Sequence, residues 1–190
     1  MKKEFLEDYR KHKLLARFHQ GEFKGRVWDC SNMLLTEIKG NNLEELVIVL
    51  KNYVDNTVLE KANNRTSAPE VEEYVRALQN ILKAKLPDSY LAMLKAHYHA
   101  PNRTITATQL AKAANISENW NYNSANLHYG SLGKRLNEEV PIQLLTRKNG
   151  KPIPTSAIAT AGDLSLAEEH WQWIMRPEVA KAIEQLGLHN

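Results

Sequence analysis

Between Val71 and Leu82 the apolar residues stand at Val71, Tyr74, Val75, Leu78, Ile81 and Leu82. That is the i, i+3, i+4, i+7 spacing of a single helix face, and it predicts an amphipathic helix. A helix with so sharp a stripe is not stable alone in water, because its stability comes from covering that face. The chain must therefore bring further elements onto it, which commits the second part of the sequence to helical packing. Ser67 with Glu70 forms a capping-box pattern ahead of the helix, and Pro69 suits a first helical turn. Leu86-Pro87-Asp88 ends it.

The means to cover that face are present. With 190 residues, 43% apolar and 25% charged, the chain has room for one ordinary domain or two small ones. These proportions exclude a mostly disordered chain, a collagen-like chain and a disulfide mini-protein. A single cysteine, Cys30, cannot form an internal disulfide, so a reducing, cytoplasmic setting is expected. No apolar run approaches the ~20 residues that span a bilayer, and no apolar segment follows the basic start, so neither a membrane span nor a signal peptide is expected.

Upstream, residues 2–18 read as a helix, with Phe5, Leu6, Tyr9, Leu14, Leu15 and Phe18 as an imperfect stripe. Residues 23–28 and 34–38 read as two strands joined through a turn at Ser31-Asn32. Asn41 with Glu44 suggests an N-cap, and Leu43, Leu46, Val47, Leu50, Tyr53 and Val54 a following helix. Residues 63–69 are the best linker. The expected organisation is α+β and mostly helical: a hairpin-plus-helix unit over 1–66 and a second domain over 67–190.

The second domain reads as a winged helix-turn-helix. Asp88 caps a helix over 89–100, with Leu91, Leu94 and Tyr98 inward. Thr104-Ile105 suits a short strand. Thr106-Ala107-Thr108-Gln109 is a capping box for a short helix over 107–114, and Asn115-Ile116-Ser117 turns the chain. A longer helix begins near Asn123 or Ser124, with Ala125, Tyr129, Leu132 and Leu136 inward. Ser124, His128, Ser131 and Arg135 are opposite, flanked by Asn126 and Lys134. Gly130 and Gly133 each cost a helix ~1 kcal/mol relative to Ala, so another backbone or a ligand is expected to approach there. Residues 142–145 read as a strand, and Asn149-Gly150 as a hairpin tip crowded by Arg147, Lys148 and Lys151, the expected wing. Residues 170–175 read as a last strand with Trp171 and Trp173 in the core. Pro177 opens a final helix with Val179, Ala180, Ile183 and Leu186 inward, stopped by Gly187.

Charge is concentrated in the same region. Net charge is only +3, but residues 1–94 hold 15 basic and 14 acidic side chains, residues 95–151 hold 8 and 3, and residues 152–190 hold 2 and 5. A local basic excess is the footprint of a nucleic-acid-binding element. Asn123, Ser124, Asn126 and His128 are the residues expected to meet bases or nearby phosphates, since Asn pairs bidentately with adenine and Ser and His can hold phosphate. Ser131, Lys134, Arg135, Arg147, Lys148 and Lys151 would hold phosphate. Thr108, Gln109, Trp120 and Tyr122 flank them, the two aromatics as candidates for stacking.

Five stretches carry a resemblance. They are Leu86-Pro87-Asp88-Ser89-Tyr90, Ala96-His97-Tyr98-His99-Ala100-Pro101, Thr106-Ala107-Thr108-Gln109-Leu110-Ala111, Ala125-Asn126-Leu127-His128-Tyr129-Gly130-Ser131-Leu132-Gly133, and His170-Trp171-Gln172-Trp173-Ile174-Met175-Arg176-Pro177-Glu178. Residues 86–188 thereby resemble the DNA-reading region beside the nuclease module in bacterial HNH-type and modification-dependent restriction endonucleases. The resemblance implies double-stranded DNA as partner, and a restriction or phage-defence setting with a separate nuclease or other defence subunit. The cutting module is missing: an HNH site needs paired histidines around a metal, often with CxxC knuckles, and one cysteine cannot supply them.

Catalysis is not expected, since there is no Gly-rich phosphate loop, GxSxG or HExxH. His97 and His99 point to different faces of a helix, so no metal site and no cofactor are expected. The alternative function is a protein-interaction or adaptor module, with a homodimer among the possible assemblies.

Overall fold

The computed structural model describes residues 4–84, 86–114, 122–162 and 171–190. The fold is α+β, and the chain divides into two compact units, Met1–Asn64 and Arg65–Asn190.

In the first unit, strands β1 (Glu4–Tyr9), β2 (His12–His19), β3 (Glu22–Trp28) and β4 (Leu34–Gly40) form an antiparallel meander in the order β1-β2-β3-β4, and helix α1 (Leu43–Asn63) follows. The helix expected over 2–18 is instead the β1–β2 hairpin, with Tyr9 paired to His12 and Leu6 to Leu15. Its two-residue turn places Arg10 and Lys11 at φ 46° and 62°. Beyond it, burial alternates: His12, Leu14 and Ala16 face inward, while Lys13 and Arg17 face out. Strands β3 and β4 occupy the expected positions. Asn32 lies at φ 61° in their turn, while the Asp29 carboxylate accepts from the Ser31 and Met33 amides, both at 2.9 Å. Asn42, not Asn41, caps α1, accepting from the Glu45 amide at 2.8 Å. Leu46, Leu50 and Val54 pack onto Leu14, Ala16 and Val27.

The second unit holds α2 (Val71–Lys83), α3 (Asp88–His99), β5 (Thr104–Thr106), α4 (Ala107–Ala114), α5 (Tyr122–Glu139), β6 (Ala159–Ala161), β7 (Gln172–Met175) and α6 (Pro177–Gln185). The strands form an antiparallel sheet in the order β5-β7-β6. The stripe on α2 is covered as its spacing requires: Tyr74, Ala77, Leu78 and Ile81 are buried in one core with Met93, Leu110, Tyr129 and Ile183. Each large apolar side chain so buried contributes roughly 1.5–3 kcal/mol.

Several ends differ from the sequence reading. The cap of α2 is Glu70, not Ser67, and the Glu73 carboxylate accepts from the Glu70 amide at 2.9 Å. Pro87 occupies the N-cap of α3, so Asp88 lies inside the helix. The inward face of α3 is Tyr90, Met93, Leu94 and His97; Leu91 and Tyr98 are half-buried. At α4 the expected capping box forms: Gln109 Oε1 accepts from the Thr106 amide at 2.8 Å, and Thr106 Oγ1 from the Gln109 amide at 3.3 Å. Gly187, at φ 65°, ends α6 with its amide on Glu184 O and the Leu188 amide on Ile183 O, both at 3.0 Å.

Residues 142–145 are not a strand. The Ile142 amide donates to Asn137 Oδ1 and the Leu145 amide to Ser156 Oγ, both at 3.0 Å, so side chains rather than a neighbouring strand take these donors. The turn beyond them is closed by its own bonds, Gly150 N to Arg147 O at 2.9 Å and Arg147 N to Lys151 O at 2.8 Å, with Gly150 at φ 77°. The turn expected at Asn115–Ser117, together with Trp120 and His170, lies outside the described residues.

Candidate functional site

Helix α5 organises the site. Its buried stripe is the expected one, Ala125, Tyr129, Leu132 and Leu136. Next to that stripe, Tyr122, Asn126 and Gly130 recur at i, i+4 and i+8 and form one wall of a cleft of about 830 Å³. Thr108, in the first turn of α4, lines it. So do Arg147 and Lys148 at the basic turn, and Trp171 and Trp173 at β7. A short 3-10 segment, Pro154–Ala157, closes it behind Gly130.

Gly133 explains that closure. A Cβ there would overlap the Pro154 carbonyl, whose carbon lies 2.7 Å from the Cβ position. The glycine thus admits a backbone against the helix, as its placement mid-helix implied. At Gly130 the nearest atom, Thr155 Oγ1, is 3.8 Å away, so the cleft stays open at that point.

The floor is pinned by a buried network. His97 is fully buried on α3; its Nε2–H donates to Trp173 O at 3.0 Å. A carbonyl only accepts, so Nδ1 is the bare nitrogen and accepts from Tyr129 Oη at 2.7 Å. One imidazole thus ties α3, α5 and β7 together. Burial pushes its pKa down to about 4, against the hydrogen bond to Trp173, and pushes the Tyr129 hydroxyl up. His97 is therefore a neutral structural group, and His99 points elsewhere, to His189 O at 2.7 Å. Among the described residues no three His, Cys, Asp or Glu side chains share a point where a metal ion could sit.

The structure divides the sequence-derived set. Thr108, Tyr122, Asn126, Arg147 and Lys148 come from three separate stretches of chain and meet at one cleft. Lys151 is exposed on the same turn. The stripe through Ser124, His128, Ser131 and Arg135 lies on another side of α5. His128 is half-buried with its ring edge-on to Tyr90 at 5.8 Å, and Ser131 Oγ returns to Leu127 O at 2.8 Å. Gln109 is engaged in its cap. Asn123 is exposed in the first turn of α5, and Lys134 and Arg135 are exposed on later turns.

Of the paired tryptophans, Trp173 is core at 5% exposure, but Trp171 is 42% exposed and stands 5.6 Å from it, centre to centre. The core reading of Trp171 is thereby corrected. Sequence reasoning missed Thr146, Ile153, Pro154 and Thr155 as cleft residues; the glycine pair on α5 was the available signal. Among the described residues no acidic side chain lines the cleft, and Arg147 and Lys148 have no ion-pair partner. No family model, curated protein or solved structure matches the chain.

Proposed function

We propose that the Arg65–Asn190 unit is a winged helix-turn-helix module that binds double-stranded DNA and does no chemistry of its own. The observation that carries this reading is the convergence of Thr108, Tyr122, Asn126, Arg147 and Lys148 on one cleft that no acidic side chain lines among the described residues. Cations, carboxamide and hydroxyl groups beside a helix are the set that phosphate and base edges require. The element order supports the module. Helix, strand, helix, helix, strand, strand run through α3, β5, α4, α5, β6 and β7, with the first strand paired to the last.

Phosphate contact falls to Arg147, Lys148 and Lys151 on the 147–151 turn, the wing of this reading, with Lys134 and Arg135 on α5. Residues 163–170, between β6 and β7, carry Asp163, Glu168 and Glu169 and no Lys or Arg. A place in restriction or phage defence, beside a separate nuclease, belongs to this proposal through the resemblance of residues 86–188.

Counterion release gives the test. Five phosphate contacts predict a slope of log K on log salt of about −4 to −5. Replacing Arg147, Lys148 and Lys151 with Ala is expected to flatten it by about 3. Fluorescence anisotropy with plain and modified duplexes measures both. Absence of binding to every duplex at low salt overturns the reading.

A second reading, a protein-docking module, is favoured by the exposed Tyr122, Leu127, Leu145 and Trp171 and by the acidic β6–β7 connection. It predicts a stable complex with a partner or a second copy that the same triple variant leaves intact.

A further inference from the structure

We propose that the cleft beside α5 holds one nucleotide, its flat base against Trp171 and Tyr122 and its phosphate against Arg147 and Lys148. The volume of about 830 Å³ lies in the range of roughly 300–1,000 Å³ that small-molecule sites occupy. The walls select the chemistry. Tyr122 and Trp171 are 56% and 42% exposed at a place where burial against a neighbour would be favourable, and such rings are sequence-tolerant platforms for a base.

Arg147 and Lys148 line the same cleft and, among the described residues, have no carboxylate partner, which calls for an anion. Asn126 offers both a donor and an acceptor to a base edge. A sugar would use the aromatic walls and leave the cations idle. Inorganic phosphate would use the cations and leave the aromatic walls idle. A base joined to a phosphate uses both. Gly130 fits the same picture, since its missing side chain keeps the wall open where Thr155 Oγ1 is 3.8 Å from the Cβ position.

The nucleotide has two possible sources, a free mononucleotide or a nucleotide unstacked from nucleic acid. The second rests on the DNA-binding reading above; the first does not. Both are tested on the full chain. Tryptophan fluorescence is followed during titration with mononucleotides, the matching nucleosides and inorganic phosphate. Mononucleotides are expected to quench and to bind about tenfold more tightly than nucleosides, the contribution of charge-assisted bonds to phosphate. Arg147→Ala with Lys148→Ala is expected to erase that tenfold difference.

In the second arm, a duplex containing 2-aminopurine is bound and its emission followed, with anisotropy reporting binding separately. A rise in emission that Trp171→Ala abolishes while anisotropy is retained identifies the duplex as the source. Gly130→Leu, which favours the helix and fills the cleft, is expected to abolish the response in either arm. Quenching by mononucleotides without a rise in emission identifies a free nucleotide. The proposal is overturned if no mononucleotide quenches at millimolar concentration and emission does not rise on a duplex that anisotropy shows to be bound. If anisotropy shows no bound duplex, the DNA reading falls, and the free-nucleotide arm alone decides this one: no quenching overturns it.

Discussion

Two glycines of α5, three residues apart, differ in what a methyl group would meet. At Gly133 it would overlap the Pro154 carbonyl, a backbone atom that cannot swing aside. Gly133→Ala is expected to cost about 1–3 kcal/mol through overpacking, despite the better helix propensity of Ala. At Gly130 the nearest atom is 3.8 Å away, so Gly130→Ala is expected to gain up to ~1 kcal/mol. Urea unfolding of the two variants checks the opposite signs. Both glycines were readable as places of close approach; which one faces a backbone and which an open cleft depends on residues 154 and 155, which sequence does not place against α5. His97 carries the acid sensitivity. Its folded pKa is depressed to about 4, below the ordinary 6.5. As pH falls through 6.5 the unfolded chain takes up a proton that the folded chain refuses until about 4. Stability present at neutral pH is lost across that window, on the order of 3 kcal/mol in total. A His97→Asn variant is expected to be weaker at neutral pH and to lack that slope in urea unfolding followed against pH.

At the scale of elements, legibility follows the source of the signal. Helices α2 and α5 were readable because one face of each is buried and the other is wet, so the period shows. The β1–β2 hairpin was not. Leu6 and Leu15 pair across its outer face, which breaks the alternation, and its turn is Arg10-Lys11, with none of the residues that usually mark a left-handed pair. Strand β6, Ala159–Ala161, has low β-propensity and exists because β7 pairs with it, a long-range cause. The expected strand over 142–145 does not form, and its two end amides, Ile142 and Leu145, go to the Asn137 and Ser156 side chains instead of a neighbouring strand. The start of α2 shows the same dependence on distant partners. Glu73 accepts from the Glu70 amide and pairs with Arg65 Nη2 at 2.7 Å, while Arg65 Nε reaches Pro141 O at 2.9 Å. The Arg65 hydrogen bond holds the Glu73 carboxyl below its ordinary range. Its contribution is thus present above about pH 4.5 and lost as pH falls below it. Glu73→Ala is expected to cost about 1–2 kcal/mol at neutral pH, read as a lower urea midpoint, and much less once the carboxyl is protonated.

For the whole molecule, the modest net charge conceals a division of labour. The basic stretch 95–151 and the acidic stretch that offsets it both lie in the Arg65–Asn190 unit, so the charge asymmetry is internal to the unit that carries the cleft. The two units also close separate cores. One is built on Leu14, Ala16, Val27, Leu46, Leu50 and Val54, the other on the residues around Tyr129 and His97, and no buried residue belongs to both. The first core is small for a unit of this length, and small units bury too little surface to be more than marginally stable. Unfolding is therefore expected in two steps, the Met1–Asn64 unit first. Trp28 is the one tryptophan of residues 1–64, and Trp120, Trp171 and Trp173 belong to the other unit. Fluorine NMR of the fluorotryptophan-labelled chain in urea separates the steps. The Trp28 resonance is expected to move first, with a midpoint indifferent to His97→Asn. The Trp171 and Trp173 resonances should move later, together, and with the acid dependence that His97 sets. A fragment spanning residues 65–190 is expected to keep that second transition unchanged. Coincident movement of the Trp28, Trp171 and Trp173 resonances, or an unfolded fragment, would show that the two cores stand or fall as one.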